Sequence, residues 1–381
     1  MKIKENISVL ILLFVNSLFA YKYLSRYTEW AILITIALFV MQIIAYKRGQ
    51  TINVSNSQKQ IILYVFVFFI SSVVIFSHYK IPLSSLNVDR WSVIYSFFME
   101  LNKGNYPYYA TSNMGNYPGP MPVYFLISFP FYYFGILVLL SCIGYCIFFI
   151  LFIKDNTKNK KLVFLLFYFF TSVFLLWEIT TRSNIFTFTT INLFALNGFI
   201  ELKNKSSIRF YTVALLAGLL LSTRSVYVLA YIIFFLSSLN NGEITLRKMF
   251  VFGLIALIGF ISTFIPFIYF YKNDFFNMNP FIVQSSFLVP KSYTIIFILI
   301  SIFLSFMVRN RIENFFYSGI SLFVSILIYS IYHIYNYGYY VSYINSKIDI
   351  SYFIFSVPFF IIYLKKIDSD RNYRINEMQS V

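Results

Sequence analysis

Asp89 heads the stretch DRWSVIYSFFMELNKGNYPYYATSNMGNYPGPMP, the longest interval without a spanning-length apolar run in an otherwise apolar sequence. A carboxylate there can serve as a general base that orients or deprotonates a hydroxyl. It can equally be a helix N-terminal acid stabilised by the helix dipole. Glu100 lies further along, with Lys103 placed to pair with it. Arg182 and Arg224 sit among hydroxyl residues, in Trp177-Glu178-Ile179-Thr180-Thr181-Arg182-Ser183-Asn184 and Ser222-Thr223-Arg224. Arginine makes bidentate contacts to phosphate, so both are candidates to stabilise a lipid phosphate. Snorkelling, or pairing with Glu178, is the plainer alternative. His78 and His333, near the ends of apolar runs, either touch substrate or are satisfied interfacial residues. Lys272, Asp274, Lys291, Lys347 and Asp349 occupy late loops, where they either shape specificity or are simply solvated.

The elements that must position these residues follow from composition. Of 381 residues 59% are hydrophobic and only 12% charged, too few charges to cover a soluble domain of this size. The class implied is an all-α polytopic transmembrane bundle. The net charge of +16 does not point to nucleic acid, because Lys and Arg fall between apolar runs and form no basic face. Cys142 and Cys146, one helical turn apart in an apolar run, read as packing residues. The first run follows Met1-Lys2-Ile3-Lys4 but lacks a small-x-small cleavage pattern, so a retained first helix is expected.

A crossing takes roughly 20 apolar residues. The sequence offers twelve candidates: 7–21, 28–46, 61–79, 121–153, 162–177, 185–200, 210–222, 225–239, 249–271, 293–308, 315–335 and 351–364. The run 121–153 exceeds one straight span, and Pro130 with Gly135 predicts that its first part is kinked or interfacial. With the N-terminus cytoplasmic, the inner segments hold 20 of the 30 Lys and Arg. That bias predicts cytoplasmic termini and an extracytoplasmic loop at 80–120. A single membrane domain is expected, with two helices in 1–60, a helical module carrying the outer loop in 61–240, further helices in 241–364 and a cytoplasmic tail at 365–381.

Within the loop, Trp91, Ile94, Tyr95, Phe98 and Leu101 recur at helical spacing, which predicts a short amphipathic helix in the interface. The clusters Gly104-Asn105-Tyr106-Pro107-Tyr108-Tyr109 and Asn116-Tyr117-Pro118-Gly119-Pro120-Met121-Pro122 describe defined turns. Their tyrosines, Tyr108 and Tyr117 among them, suit stacking on sugar rings and headgroup anchoring equally well.

The order of these features resembles the membrane-embedded glycosyltransferases of the GT-C superfamily, especially bacterial mannosyltransferase-like and lipopolysaccharide-type members. The likeness runs over residues 60–240. It rests on Asp89 after a helix, then Gly104 to Tyr108, Tyr117 to Pro122 and Phe134-Gly135, with Trp177 to Asn184 and Gly218 to Arg224 following. The resemblance implies transfer of a sugar from a polyprenyl-phosphate carrier to a hydroxyl of a glycan or lipid-linked acceptor at the outer face of the cell membrane. Asp89 would be catalytic, and Arg90, Glu100, Tyr108, Tyr117, Glu178, Arg182, Asn184 and Arg224 would contact substrate. Many relatives carry two adjacent acids where this chain has Asp89-Arg90. With no His-rich cluster and no HExxH, no obligatory metal or cofactor is expected. Two other classes fit less well. A repeat-unit polymerase places its long outer loop later in the chain, and a transporter shows charges within paired, discontinuous spans.

Overall fold

The computed structural model of the protein describes residues 2–52, 54–153, 161–202, 207–287, 289–345 and 348–367; within these there are helices, turns and irregular backbone but no strand. In chain order the helices are α1 (Lys2–Leu24), α2 (Ala31–Gly49), α3 (Asn56–Lys80), α4 (Arg90–Asn102), α5 (Pro122–Tyr133) and α6 (Leu137–Ile153). There follow α7 (Leu162–Phe170), α8 (Val173–Thr181), α9 (Ile185–Glu201), α10 (Ser207–Leu221), α11 (Val228–Asn240) and α12 (Leu246–Ser262). The last group is α13 (Ile265–Phe270), α14 (Lys272–Asn277), α15 (Pro280–Phe287), α16 (Lys291–Phe306) and α17 (Glu313–Tyr337), closed by α18 (Ile350–Ile367).

Five of these, α1, α2, α3, α17 and α18, are long and apolar enough to cross a bilayer, and the number is seven if the bent pairs α5–α6 and α7–α8 each make one span. The expectation of twelve spans is met in part. Helices α9, α10, α11 and α16 are apolar but hold only 10–17 residues, short of the roughly 20 that a perpendicular crossing takes. Helices α2 and α3 turn most of their apolar side chains outward, among them Leu33, Ile36, Val40, Tyr64, Val65 and Phe68. Such faces need an apolar solvent, as in a multi-pass membrane protein.

Both bends have identifiable causes. Between α5 and α6 the chain turns through 116°. Gly135 adopts φ +69°, with its N–H on Tyr132 O and the next N–H, of Ile136, on Phe131 O at 2.8 Å. That pair of bonds is a Schellman ending, which favours glycine because a side chain strains the left-handed backbone. The break predicted from Pro130 and Gly135 is therefore present. Between α7 and α8 the bend is 46°. There the Asn16 amide of α1 donates to Thr171 O at 3.0 Å and accepts the Val173 N–H at 2.7 Å, satisfying the backbone groups that the break frees.

The two ends of the bundle are defined by ion pairs and caps. At one end Lys4 pairs with Glu313 (2.6 Å), Lys161 with Glu5 (3.2 Å) and Arg311 with Glu243 (3.1 Å). At the other end lie the C-terminus of α3, all of α4, the loop to α5 and the N-terminus of α18.

Two apolar cores hold these parts. The larger runs from Val9 to Ile367 and unites helices from all of the expected segments. The smaller packs α4 and its loop on α5 and α13–α14, with Phe97 and Phe125 stacked at 3.6 Å. The face of α4 that is buried, Val93, Ile94, Phe97 and Phe98, is rotated from the one that periodicity selects: Trp91 and Tyr95 are only half-buried and Leu101 is exposed. Helices α10 and α12 touch at the backbone: a Cβ added at Gly218 would lie 1.9 Å from Ala256 O.

Candidate functional site

Asp89 precedes the first turn of α4, but its carboxylate does not cap the helix. It is half-buried, and its Oδ2 accepts the Asn116 amide at 2.8 Å. Oδ1 accepts no hydrogen bond among the described residues. Asn116 is presented by a small turn in which Ser112 N–H donates to Asn116 O at 2.9 Å and Ser112 Oγ accepts the Asn116 N–H at 3.1 Å. Gly115, at φ +78°, lets the chain close that turn. A second tie runs from Ser92 Oγ to Asn113 Oδ1 at 2.6 Å. The Gly and Pro clusters thus do form a loop of defined turns.

Arg90, buried on the first turn of α4, donates to Ser351 Oγ at 2.8 Å and forms a salt bridge with Asp349. Its guanidinium also covers the Tyr352 ring at 5.4 Å. Burial alone opposes the charge on Arg90, but Asp349 outweighs it and holds the pKa above the ordinary value. For Asp349 burial pushes upward, while Arg90 and the bonds from Ser351 pull further the other way, leaving the carboxyl below the usual range. Arg90 is consequently a clamp between α4 and α18, with its Nη2 shared between Asp349 and Ser351. Asp349, grouped by sequence with solvated loop charges, is its partner.

Arg224 follows α10 and lies between two rings, 5.4 Å from Tyr124 and 5.9 Å from Phe355. Its guanidinium has no carboxylate or hydrogen-bond partner among the described residues, and its Nε is buried without an acceptor. The cation–π contacts offset part of that cost. The chain around it is pinned on both sides. Met121 N–H donates to Thr223 O at 3.1 Å and Val123 N–H to Ser222 O at 3.0 Å. Gln284 of α15 accepts from Ser225 and donates to Gly119 O. Helix α18 brings Arg90 and Arg224 to one place, since the rings that they cover, Tyr352 and Phe355, stack with centroids 5.9 Å apart. Asn184 is tied in indirectly, its Nδ2 donating to the Tyr124 hydroxyl at 2.9 Å.

The remaining sequence candidates are placed elsewhere or in other roles. Glu178 is wholly buried and accepts from Tyr145 Oη (2.6 Å), Ser183 Oγ (3.0 Å) and the Ile185 N–H (2.8 Å), so it caps α9 and makes no pair with Arg182. Arg182, at φ +56°, donates to Ser77 O at 2.6 Å and Ile81 O at 2.8 Å, capping the C-terminus of α3. It also lines a cleft of about 110 Å³ with His78 and Tyr95. Tyr108 has no exposed surface and no partner for its hydroxyl, and its ring packs on Phe97 and Phe267. Tyr117 is 40% exposed and remains open to a ligand. Glu100 pairs with Lys103 (2.7 Å), and these bonds, with one from Asn105, lower its pKa. His333 packs among Tyr329, Tyr332 and Tyr337. Cys142 and Cys146 are free thiols. Lys347 lies outside the described residues. Among the described residues no three His, Cys, Asp or Glu side chains gather to hold a metal ion.

Sequence reasoning left Asp349 between shaping specificity and being simply solvated, and did not single out Lys22. The first carried a usable signal, an Asp directly before an apolar helix, and its side chain does accept the Ser351 N–H at 3.0 Å as a cap. The second had none, being a lysine at the end of an apolar run. No family model, curated protein or solved structure matches this chain.

Proposed function

We propose that this protein is an integral-membrane glycosyltransferase that moves a sugar from a polyprenyl-phosphate carrier to a hydroxyl of a glycan or lipid-linked acceptor at the outer face of the cell membrane. One observation carries this reading: a half-buried carboxylate with an unused oxygen heads the helix turn whose Arg90 covers Tyr352, and the ring stacked on Tyr352, Phe355, is covered by an arginine that lacks an anion. In the reaction Asp89 Oδ1 accepts the proton of the acceptor hydroxyl as that oxygen attacks the anomeric carbon. The bond from that carbon to the phosphate oxygen breaks on the opposite face, and the lipid phosphate leaves with the electron pair. Arg224 supplies the countercharge where negative charge develops. Arg90, held by Asp349, fixes the first turn of α4 beside the base.

A transporter would use the break between α7 and α8, but the backbone groups freed there are already engaged by Asn16. The test is transfer by purified protein in nanodiscs, supplied with a panel of polyprenyl-phosphate sugars. Asp89→Asn is expected to lower turnover by about 10²–10⁴-fold. Undiminished transfer by the variant removes Asp89 from the chemistry.

A further inference from the structure

Arg182 is 5% exposed and holds a left-handed backbone, φ +56°, which no other non-glycine residue among the described ones adopts. Glycine is the usual residue in that conformation at a helix C-terminus, so an arginine there points to a use for its side chain. Its Nη1 donates to Thr180 O at 2.5 Å, and its Nη2 to Ser77 O at 2.6 Å and Ile81 O at 2.8 Å. These acceptors are neutral. The carbonyl ends of α3 and α8 offset part of the charge, but among the described residues Arg182 has no ion pair and its Nε no acceptor. Arg182 lines a cleft of about 110 Å³, many times the roughly 10–15 Å³ that admits one water. Its walls include His78 of α3, Leu83 of the turn that follows, Tyr95 of α4 and Val138 of α6. No carboxylate is among the residues that line it, and neither is Arg90 or Arg224. His78 is exposed, and the Tyr95 hydroxyl has no hydrogen bond among the described residues, so both have donors to offer. A buried cation on a cleft with spare donors and no acid is a setting for an anion.

We propose that this cleft takes the phosphate of a membrane lipid, at a site apart from Asp89 and Arg224. The rim favours a lipid over a soluble anion. Tyr79 at the end of α3, and Tyr133 and Phe134 at the α5–α6 corner next to Gly135 of the cleft wall, are all more than half exposed. Exposed tyrosines at the ends of apolar helices sit at headgroup depth. On α3, Ile75, Val67 and Tyr64 share the stripe of His78 at helical spacing and are likewise more than half exposed, which gives the lipid chains an apolar track away from the cleft. A phosphate held there bridges α3, α4 and the turn between α8 and α9. The site rests on no part of the transfer reaction.

The test is native mass spectrometry of the full chain with dioleoyl phosphatidic acid, and with dioleoylglycerol as the phosphate-free control. The series is run in Arg224→Gln, so that phosphate taken at that arginine is not counted. Phosphatidic acid is expected to bind about tenfold or more tighter than dioleoylglycerol, and adding Arg182→Gln is expected to erase the difference. Leu83→Trp, on a half-buried turn, keeps the charge and fills the cleft, and is expected to weaken phosphatidic acid by a similar factor. It decides the matter if Arg182→Gln, which removes a cap of α3, does not fold. Equal binding of the two lipids with the cleft intact, or an undiminished preference for phosphatidic acid in either folded variant, overturns the proposal. Inorganic phosphate is expected to displace the lipid only in large excess; displacement at equal concentration makes a soluble phosphate the ligand and overturns the assignment to a lipid.

Discussion

Arg90 neighbours the proposed base in sequence, yet its guanidinium is taken up by Asp349 and Ser351, at the far end of the chain. Because the folded pKa of Asp349 lies below its unfolded value, the stabilisation is fully present above the ordinary aspartate pKa of about 3.9 and is lost as pH falls through the folded value. Asp349→Asn is therefore expected to cost stability at pH 7, and less and less as pH falls through the folded value, measured by unfolding in mixed micelles. The size should be about 1–2 kcal/mol: breaking a buried pair costs more, but the Asp349 side chain is 39% exposed and solvent discounts the loss. The type and place of Asp89, Arg90 and Arg224 were legible in sequence. What was not legible is which of two adjacent charged residues would be engaged by a partner 259 positions away, since local spacing carries no information on that contact.

Helix ends were read with mixed success, for reasons that differ between elements. The α5–α6 corner was visible because Pro130 and Gly135 act through the backbone itself. The α7–α8 break carried no proline or glycine; it exists because Asn16 on another helix offers both a donor and an acceptor to Thr171 and Val173. Asn16→Leu would leave these groups unpaired in an apolar setting, at an expected cost of about 1–3 kcal/mol. Hydrogen exchange at the Val173 amide should quicken in the variant; unchanged protection would mean that the break is held by something else. The face of α4 was misjudged by periodicity because the loop turns around Asn113 and Asn116 cover one side of it, and spacing alone cannot see a cover supplied by the next segment.

At the scale of the molecule, composition correctly gave an all-helical, multi-pass architecture, but short apolar runs were read as full crossings. Run length marks apolar surface: α9 and α11 bury most of theirs against neighbours, while α10 leaves Ile208, Tyr211, Leu215 and Leu216 exposed. Among the described residues, Lys4, Lys161 and Arg311, from segments assigned inward, make ion pairs with Glu313, Glu5 and Glu243. The assignment of these segments to the cytoplasm predicts that a cysteine at Asn113, with Cys142 and Cys146 replaced, reacts with a membrane-impermeant maleimide in intact cells. Protection until the cells are lysed would invert the topology. Finally, Gly218 against Ala256 has a mechanical consequence. With no room for even a methyl group at this seam, α10 and α12 travel together as one stave. A long lipid tail entering from the bilayer must part some other pair of helices, and Arg224, at the top of that stave, moves only if both do.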